Sequence, residues 1–542
     1  MNTTQPMGGH GTGQANTFDR ALASPRIGLA LILATLLLSF FWGIGGPPLY
    51  DLDEGAFTEA TREMIASGNY ITPHKDGKPR YDKPALIYWL QAASVHALGL
   101  NELALRLPSA LAASLWVLAL WVFVRVRLGV PTATVAALTM ALSLQVAVIA
   151  KAAVADALLN LFIALTLFEI YRYSLEQSPG IALRAFLWMG LCFLTKGPVA
   201  VFFPLVVSLG FFLSRGEGRI LWRAAFNPLG WLIFLAVAGP WYLAIYLDDG
   251  PGFFESFFLK HNAGRFGGAM HGHSGFFGYY LVMLPVILLP FTGWFLRILP
   301  TLSAGWADPL DRFLWFWFLA VFVFFSFSGT KLPHYMLYGV TPLFILMARH
   351  RHLLTNGWLA FVPPLALLAM LLVLPDLLPL IPVRPDRPHE AAQFALGMTV
   401  LDTGYRLVVG LGLALTLGLA LARVGLVWQR LLLAGLVLAV VVHGALMPRV
   451  LEVMQGPVKE AGLLAQRIGL PTVVYRTSMP SFSVYRQAIT PAVSPENPLA
   501  PGQLVFLRID RLESLSRELP GVPQELVFQR GPVALVRLGG EP

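Results

Sequence analysis

Cysteine is almost absent. Cys192 is the single one in 542 residues, which excludes a disulfide framework and a thiolate metal site. Charge is scarce as well: Asp, Glu, Lys and Arg make up 13% of the chain, against about 25% in soluble domains. No phosphate-loop and no dinucleotide fingerprint occurs, which argues against an ATP-driven pump and offers nothing for a nucleotide-linked donor. What is present is apolar, 56% of all residues, and most of it comes in long runs. A helix needs about 20 apolar residues to cross the hydrocarbon core, so the runs point to a polytopic α-helical membrane protein. The net charge of +9 would suggest nucleic acid in a soluble chain. Here the arginines flank apolar runs, where positive-inside retention places them, and no nucleic-acid partner is expected.

Apolar runs read against their flanking Arg and Lys predict about thirteen spans. They lie near 27–42, 104–124, 131–150, 157–174, 181–195, 198–214, 229–247, 276–297, 312–328, 335–348, 357–375, 405–422 and 428–446. Residues 1–25 are polar and Gly/Thr-rich and are expected to be disordered and cytoplasmic. With Arg20 and Arg26 in front of it, 27–42 reads as an uncleaved first span. That orientation puts Arg125, Arg127, Arg172, Arg184, Arg215–Arg223, Arg297, Arg349–Arg351, Arg423 and Arg430 inside. The first outside loop, 43–103, carries two helical patterns (Phe57, Thr61, Met64, Ile65; then Tyr88, Ala92, Val95) that suit helices lying in the interface. Residues 26–447 thus form a transmembrane domain. From 448 to 542 Leu/Val-rich pieces at 472–475, 504–507 and 533–536 alternate with helix-like pieces at 458–468 and 510–518, predicting a small α/β domain outside the membrane.

Ionisable residues at membrane level are costly and read as functional. Asp53, Glu54, Lys83, Asp156, Lys196, His261, Arg265, Lys331, His334 and Tyr335 come from six stretches, and the thirteen-span topology puts all of them on the outer face. Each has a plainer reading. Asp53 and Glu54 suit a helix N-terminus, Lys83 could snorkel, Asp156 could pair with Lys151, and Arg265 could be a solvated loop residue. Lys196 in a Lys-Gly-Pro turn and Lys331 in a Lys-Leu-Pro-His-Tyr turn are harder to dismiss. A lysine in a short membrane-level turn needs an anion, either a carboxylate such as Asp156 or a lipid phosphate. His271-Gly-His273 could ligate a metal, although the spacing is not specific. Carboxylates among fixed cations at the outer boundary suit a phosphate-linked glycosyl donor, with Lys and Arg stabilising the leaving phosphate and a carboxylate serving the acceptor.

Leu52-Asp53-Glu54-Gly55, Thr61-Arg62-Glu63-Met64, Ser67-Gly68-Asn69-Tyr70, Tyr81-Asp82-Lys83-Pro84, Tyr88-Trp89 and Arg106-Leu-Pro-Ser-Ala110 resemble the opening of the lipid-carrier-dependent C-type glycosyltransferases. Thr195-Lys196-Gly197-Pro198 and Lys331-Leu332-Pro333-His334-Tyr335 are similar to later signatures of that superfamily, which includes lipid A aminoarabinose transferases and protein mannosyltransferases. The resemblance covers most of 45–350. It implies an inverting enzyme of the bacterial inner membrane, with its site facing the periplasm. The implied donor is an undecaprenyl-phosphate sugar, 4-amino-4-deoxy-arabinose or a relative, and the implied acceptor is lipid A. It implies Asp53, Asp156 and Glu54 as acids, and Lys83, Lys196, Arg265, Lys331, His261 and Tyr335 as donor-phosphate binders. Asp82, where relatives often carry Glu, joins His271 and His273 as candidates for a divalent metal. Two alternatives stay open: a protein O-mannosyltransferase-like enzyme, and a polyprenyl-phosphate-sugar transporter or flippase.

Overall fold

The apolar runs fold as helices. The computed structural model describes residues 22–258, 276 and 278–539. Seven of its helices are long and apolar enough to cross a membrane, or nine if two bent pairs each count as one span. Each of the thirteen expected segments overlaps a helix, but several fall short of full span length. Pro25–Phe41 and Val199–Ser214 are shorter apolar helices, and the helix expected at 335–348 has 13 residues.

Two segments break instead of running straight, at 131–150 by 69° and at 276–297 by 116°. The two breaks meet. Ser143 Oγ donates to the Ile287 carbonyl at 3.0 Å, and Leu144 N donates to the Leu289 carbonyl at 2.8 Å. Non-helical backbone at membrane depth must find partners inside the protein, and here each interruption supplies them to the other.

The framework around the candidate site follows in chain order. Helix α1 (Asp53–Ser67) ends at Gly68 in a left-handed turn. The hairpin β1 (His74–Lys75) and β2 (Lys78–Pro79) leads to α2 (Leu86–Leu98). Helix α3 (Glu102–Leu128) starts where the Asn101 side chain caps Ala104 N at 2.9 Å. Helices α4 (Asp156–Glu176) and α5 (Pro179–Lys196) form an antiparallel pair beside it. Helix α6 (Pro309–Phe327) and α7 (Leu337–Arg349) close the other side, and α8 (Pro388–Val400) lies in the connection between the helices Gly357–Leu377 and Thr403–Leu421.

The expected boundary at 447 falls inside a continuous helical stretch, Val427–Ile468, of 42 residues. Beyond it stand β3 (Thr472–Tyr475), α9 (Ser481–Arg486), β4 (Leu504–Arg508), α10 (Leu512–Glu518), β5 (Gln524–Arg530) and β6 (Val533–Leu538). The sheet order is β3-β4-β6-β5, with β3 parallel to β4 and the other pairings antiparallel. Its core joins Val458, Ala461 and Ala465 of the long helix to Phe482, Phe506 and Leu535. Strand β5 leaves no mark in the apolar pattern because it is an edge strand with few buried side chains.

Candidate functional site

Asp53 and Glu54 are neighbours with different surroundings. Asp53 opens α1 and is exposed; its negative charge sits at the positive end of the helix dipole. Glu54 is buried. Its oxygens accept from Arg106 Nε at 2.8 Å and Nη2 at 2.7 Å, from Tyr50 N at 2.9 Å and from Ala153 N at 2.7 Å. Four donors saturate the carboxylate, which gives it the geometry of a structural pin. Arg106 also donates to the Ile44, Pro47 and Pro48 carbonyls. This pin ties the first loop to the 151–155 turn that precedes Asp156.

The turn is held from above and below. Gln91 Nε2 donates to the Ala153 carbonyl at 3.1 Å and Ser109 Oγ to the Val154 carbonyl at 3.0 Å. Asp156, the first residue of α4, is buried and pairs with Lys196 Nζ at 2.6 Å. Lys196 also donates to Tyr338 Oη at 2.8 Å, and Tyr338 Oη donates back to Asp156 at 3.2 Å. Lys151, the plainer partner for Asp156, instead donates to the Trp42 carbonyl at 2.6 Å. Lys196 ends α5 because Gly197 takes a positive φ of 76°, which a side chain would strain. Its ammonium also lies 5.7 Å from the Tyr335 ring and 5.4 Å from the Tyr338 ring, and Tyr335 stacks on Phe325 at 4.7 Å.

His334 is where the charges converge. Asp156, Lys196, Asp53 and Lys83 all lie close enough to act on its ring, and burial holds its pKa below the usual histidine value. The structure therefore gathers Asp53, Lys83, Asp156, Lys196, His334 and Tyr335 from five stretches of chain. Lys83 is half-buried and donates to the Asp82 carbonyl at 2.9 Å. Lys331 is turned to another use: its ammonium donates to the Ser326 and Ser328 carbonyls, both at 2.8 Å, which caps the end of α6 as a cation suits a helix C-terminus.

Asp82 accepts from Arg80 Nε at 3.4 Å. Among the described residues no three His, Cys, Asp or Glu side chains lie together as a metal site. His261, Arg265, His271 and His273 lie outside the described residues. Sequence reasoning does not reach Arg106, Gln91, Ser109 and Tyr338 as supports. Arg106 has a usable signal, a charge within an apolar helix, while the other three are ordinary polar residues whose partners are distant in sequence.

Next to this cluster begins an apolar cavity of about 1200 Å³. It is walled by α2, α3, α4 and α5, from Leu86 and Leu158 near the starts of α2 and α4 to Arg127, Glu169 and Arg172.

Residues 82–243 match the family model described as dolichyl-phosphate-mannose-protein mannosyltransferase. An uncharacterized protein of Aquifex aeolicus is 31% identical over 323 residues, 59% of this chain and 72% of that one. The undecaprenyl phosphate-alpha-4-amino-4-deoxy-L-arabinose arabinosyl transferase of Aeromonas hydrophila subsp. hydrophila is 30% identical over 332 residues, 58% of this chain. The chain belongs to the C-type glycosyltransferase superfamily. Its match spans 59% of the length of that arabinosyl transferase. The crystal structure of ArnT from Cupriavidus metallidurans bound to undecaprenyl phosphate has the same fold, with a TM-score of 0.76 at 20% identity, covering 95% of this chain and 99% of that one. This C-type member is thus a multi-pass membrane protein.

Proposed function

We propose that this protein transfers a sugar, with inversion, from an undecaprenyl-phosphate carrier to an acceptor at the outer face of the bacterial inner membrane. One observation carries the reading: the carboxylates and cations around Asp156 and Lys83 gather where α2 and α4 begin, and Leu86 and Leu158 near those starts line a long apolar cavity. The polyprenyl tail lies along that cavity, and Lys83 with the Lys196–His334 group faces the phosphate. As the acceptor oxygen attacks the anomeric carbon, the bond to the phosphate oxygen breaks and negative charge grows on the departing polyprenyl phosphate. Cations fixed in a low-dielectric site stabilise that charge. Asp53, exposed at the start of α1, takes the proton of a hydroxyl acceptor or steadies the cationic sugar.

Lipid A is the acceptor, and 4-amino-4-deoxy-arabinose or a related sugar the cargo; the relatives' names support the cargo, and the outer-face site supports the acceptor. Counting the shorter apolar helices as spans as well, the reading is a thirteen-span chain whose candidate site and C-terminal sheet face the periplasm. The test is transfer of radiolabelled sugar from its undecaprenyl phosphate carrier by the purified chain in nanodiscs, with lipid A and with a Ser/Thr-rich peptide as acceptors. Asp53→Asn and Lys83→Ala are expected to lose about 10²–10⁴-fold in rate, the usual weight of a positioned acid–base group or charge. Both variants working at the wild-type rate would sink the assignment, and transfer to the peptide alone would replace lipid A by protein.

A further inference from the structure

The connection between the membrane helices Gly357–Leu377 and Thr403–Leu421 does not turn straight back. It runs through Leu378–Leu380 and residues 381–387 into α8, and Leu380, Ile381, Val383 and Met398 stand exposed along it. Such apolar groups beside two helix ends belong among lipid chains. Directly against this connection lies the segment after β4, and between them is a second cavity of about 530 Å³. Its wall is polar throughout: Asp386, Arg387, His389, Arg508, Asp510 and Arg511.

Within the wall Asp510 is consumed internally. It takes a bidentate fork from Arg508 at 2.6 and 2.8 Å and lies 3.4 Å from both Arg511 Nε and His389 Nδ1. Those last two nitrogens are shielded from solvent and make no hydrogen bond. Arg387 uses one nitrogen on Glu390, at 2.8 Å. A guanidinium has five donors in a fixed fork, so these bonds leave most of the donors of Arg387 and Arg511 to the cavity. Asp386, Asp510 and Glu390 balance the three guanidiniums in formal charge, so what the space offers an anion is unused donor capacity. Arginine forks at such spacing match the oxygens of phosphate better than a single carboxylate does.

We propose that this cavity binds the phosphate monoester headgroup of a lipid, whose chains lie beside Leu380, Ile381 and Val383. The site stands apart from the Asp53–Asp156 cluster and does not depend on the transfer reading. It would hold a phosphorylated lipid at the protein's edge, on the face where α1 and its loop lie.

The experiment uses the full chain in phosphatidylcholine nanodiscs, titrated with dioctanoyl phosphatidic acid. Arg387→Gln and Arg511→Gln together are expected to weaken binding about tenfold or more, the weight of one lost charge-assisted hydrogen bond. Arg387→Gln alone, in an exposed loop, should show a smaller loss in the same direction with no change in thermal unfolding. Arg517→Gln, which removes an exposed arginine paired with Glu513 on α10, should bind like wild type. Inorganic phosphate at millimolar concentration should displace the lipid if the phosphate is what is read. Equal binding by wild type and the double variant would overturn the proposal. So would arginine-dependent binding that phosphate cannot displace, because recognition would then lie in the rest of the lipid. Sugar transfer need not change in any of these variants, so failure here leaves the transfer reading intact.

Discussion

At the residue scale, two adjacent carboxylates make different predictions. Asp53 is exposed at a helix start, whereas Glu54 is buried under four donors. Removing one partner of a buried ion pair costs about 3–5 kcal/mol because the other charge is left uncompensated. Glu54→Gln should therefore lower the unfolding midpoint sharply, while Asp53→Asn should leave it near wild type and slow transfer by about 10²–10⁴-fold. The measurement is thermal unfolding in detergent beside the transfer assay; an Asp53→Asn protein as unstable as Glu54→Gln would contradict the division of roles. Both acids are legible in the sequence as candidates, but their difference is not. Glu54 is buried because Arg106, 52 residues on, reaches it, and spacing along one chain segment carries no record of such a partner. Lys331 shows the same limit: a membrane-level lysine asks for negative charge, which its helix-end carbonyl partners supply and spacing along the chain does not reveal.

At the element scale, the first loop is fastened to the C-terminal unit. Asp51 accepts from Ser481 N at 3.0 Å and from the Ser481 hydroxyl, and Leu49 N donates to Tyr485 Oη at 2.7 Å. A Cβ on Gly55 would run into the Asp51 carboxylate and lie 2.7 Å from Ser481 N, so this joint closes only on a glycine. Burial pushes the Asp51 carboxyl up to about 7, against the lowering effect of the Ser481 bonds. Between about pH 4 and pH 7 the folded chain therefore keeps a proton that the unfolded chain has lost. Stability from this group is greatest below that window and falls as pH rises through it, by about 1.4 kcal/mol for each pH step of one. Asp51→Asn, which stays neutral, should flatten the dependence of the unfolding midpoint on pH from 4 to 8. A variant with the wild-type slope would mean that Asp51 is already ionised in the folded chain. Helix α1 of this joint is legible from 3.6-residue periodicity; α9, only six residues long, and the joint itself, 430 residues apart in sequence, are not.

For the whole molecule, the proposed thirteen-span topology and the proposed donor groove stand or fall together, because a tail-binding groove must run the depth of the bilayer with its charged cluster at one face. From Leu107 to Arg127 the cavity follows about 20 residues of α3, roughly 30 Å at 1.5 Å per residue, the thickness of the hydrocarbon core. A cysteine at Glu460, which lies past the membrane helix Val427–Val441 and pairs with Arg530, should react with an impermeant maleimide from the periplasmic side only. Labelling from the cytoplasm would invert the topology and put the cluster on the wrong face for a periplasmic acceptor. The groove itself is tested by filling it. Leu115 is exposed on α3 and lines the cavity, so Leu115→Trp narrows the path of a long isoprenoid without touching Asp53 or Lys83. Losing about 50 Å² of tail burial costs about 1.3 kcal/mol, or roughly tenfold in KM. The rise should appear for the undecaprenyl donor and nearly vanish for a donor with a short, two-isoprene tail, while kcat stays the same. An equal effect on both donors would mean that the tryptophan disturbs the phosphate end instead, and an effect on neither would mean that the tail lies elsewhere.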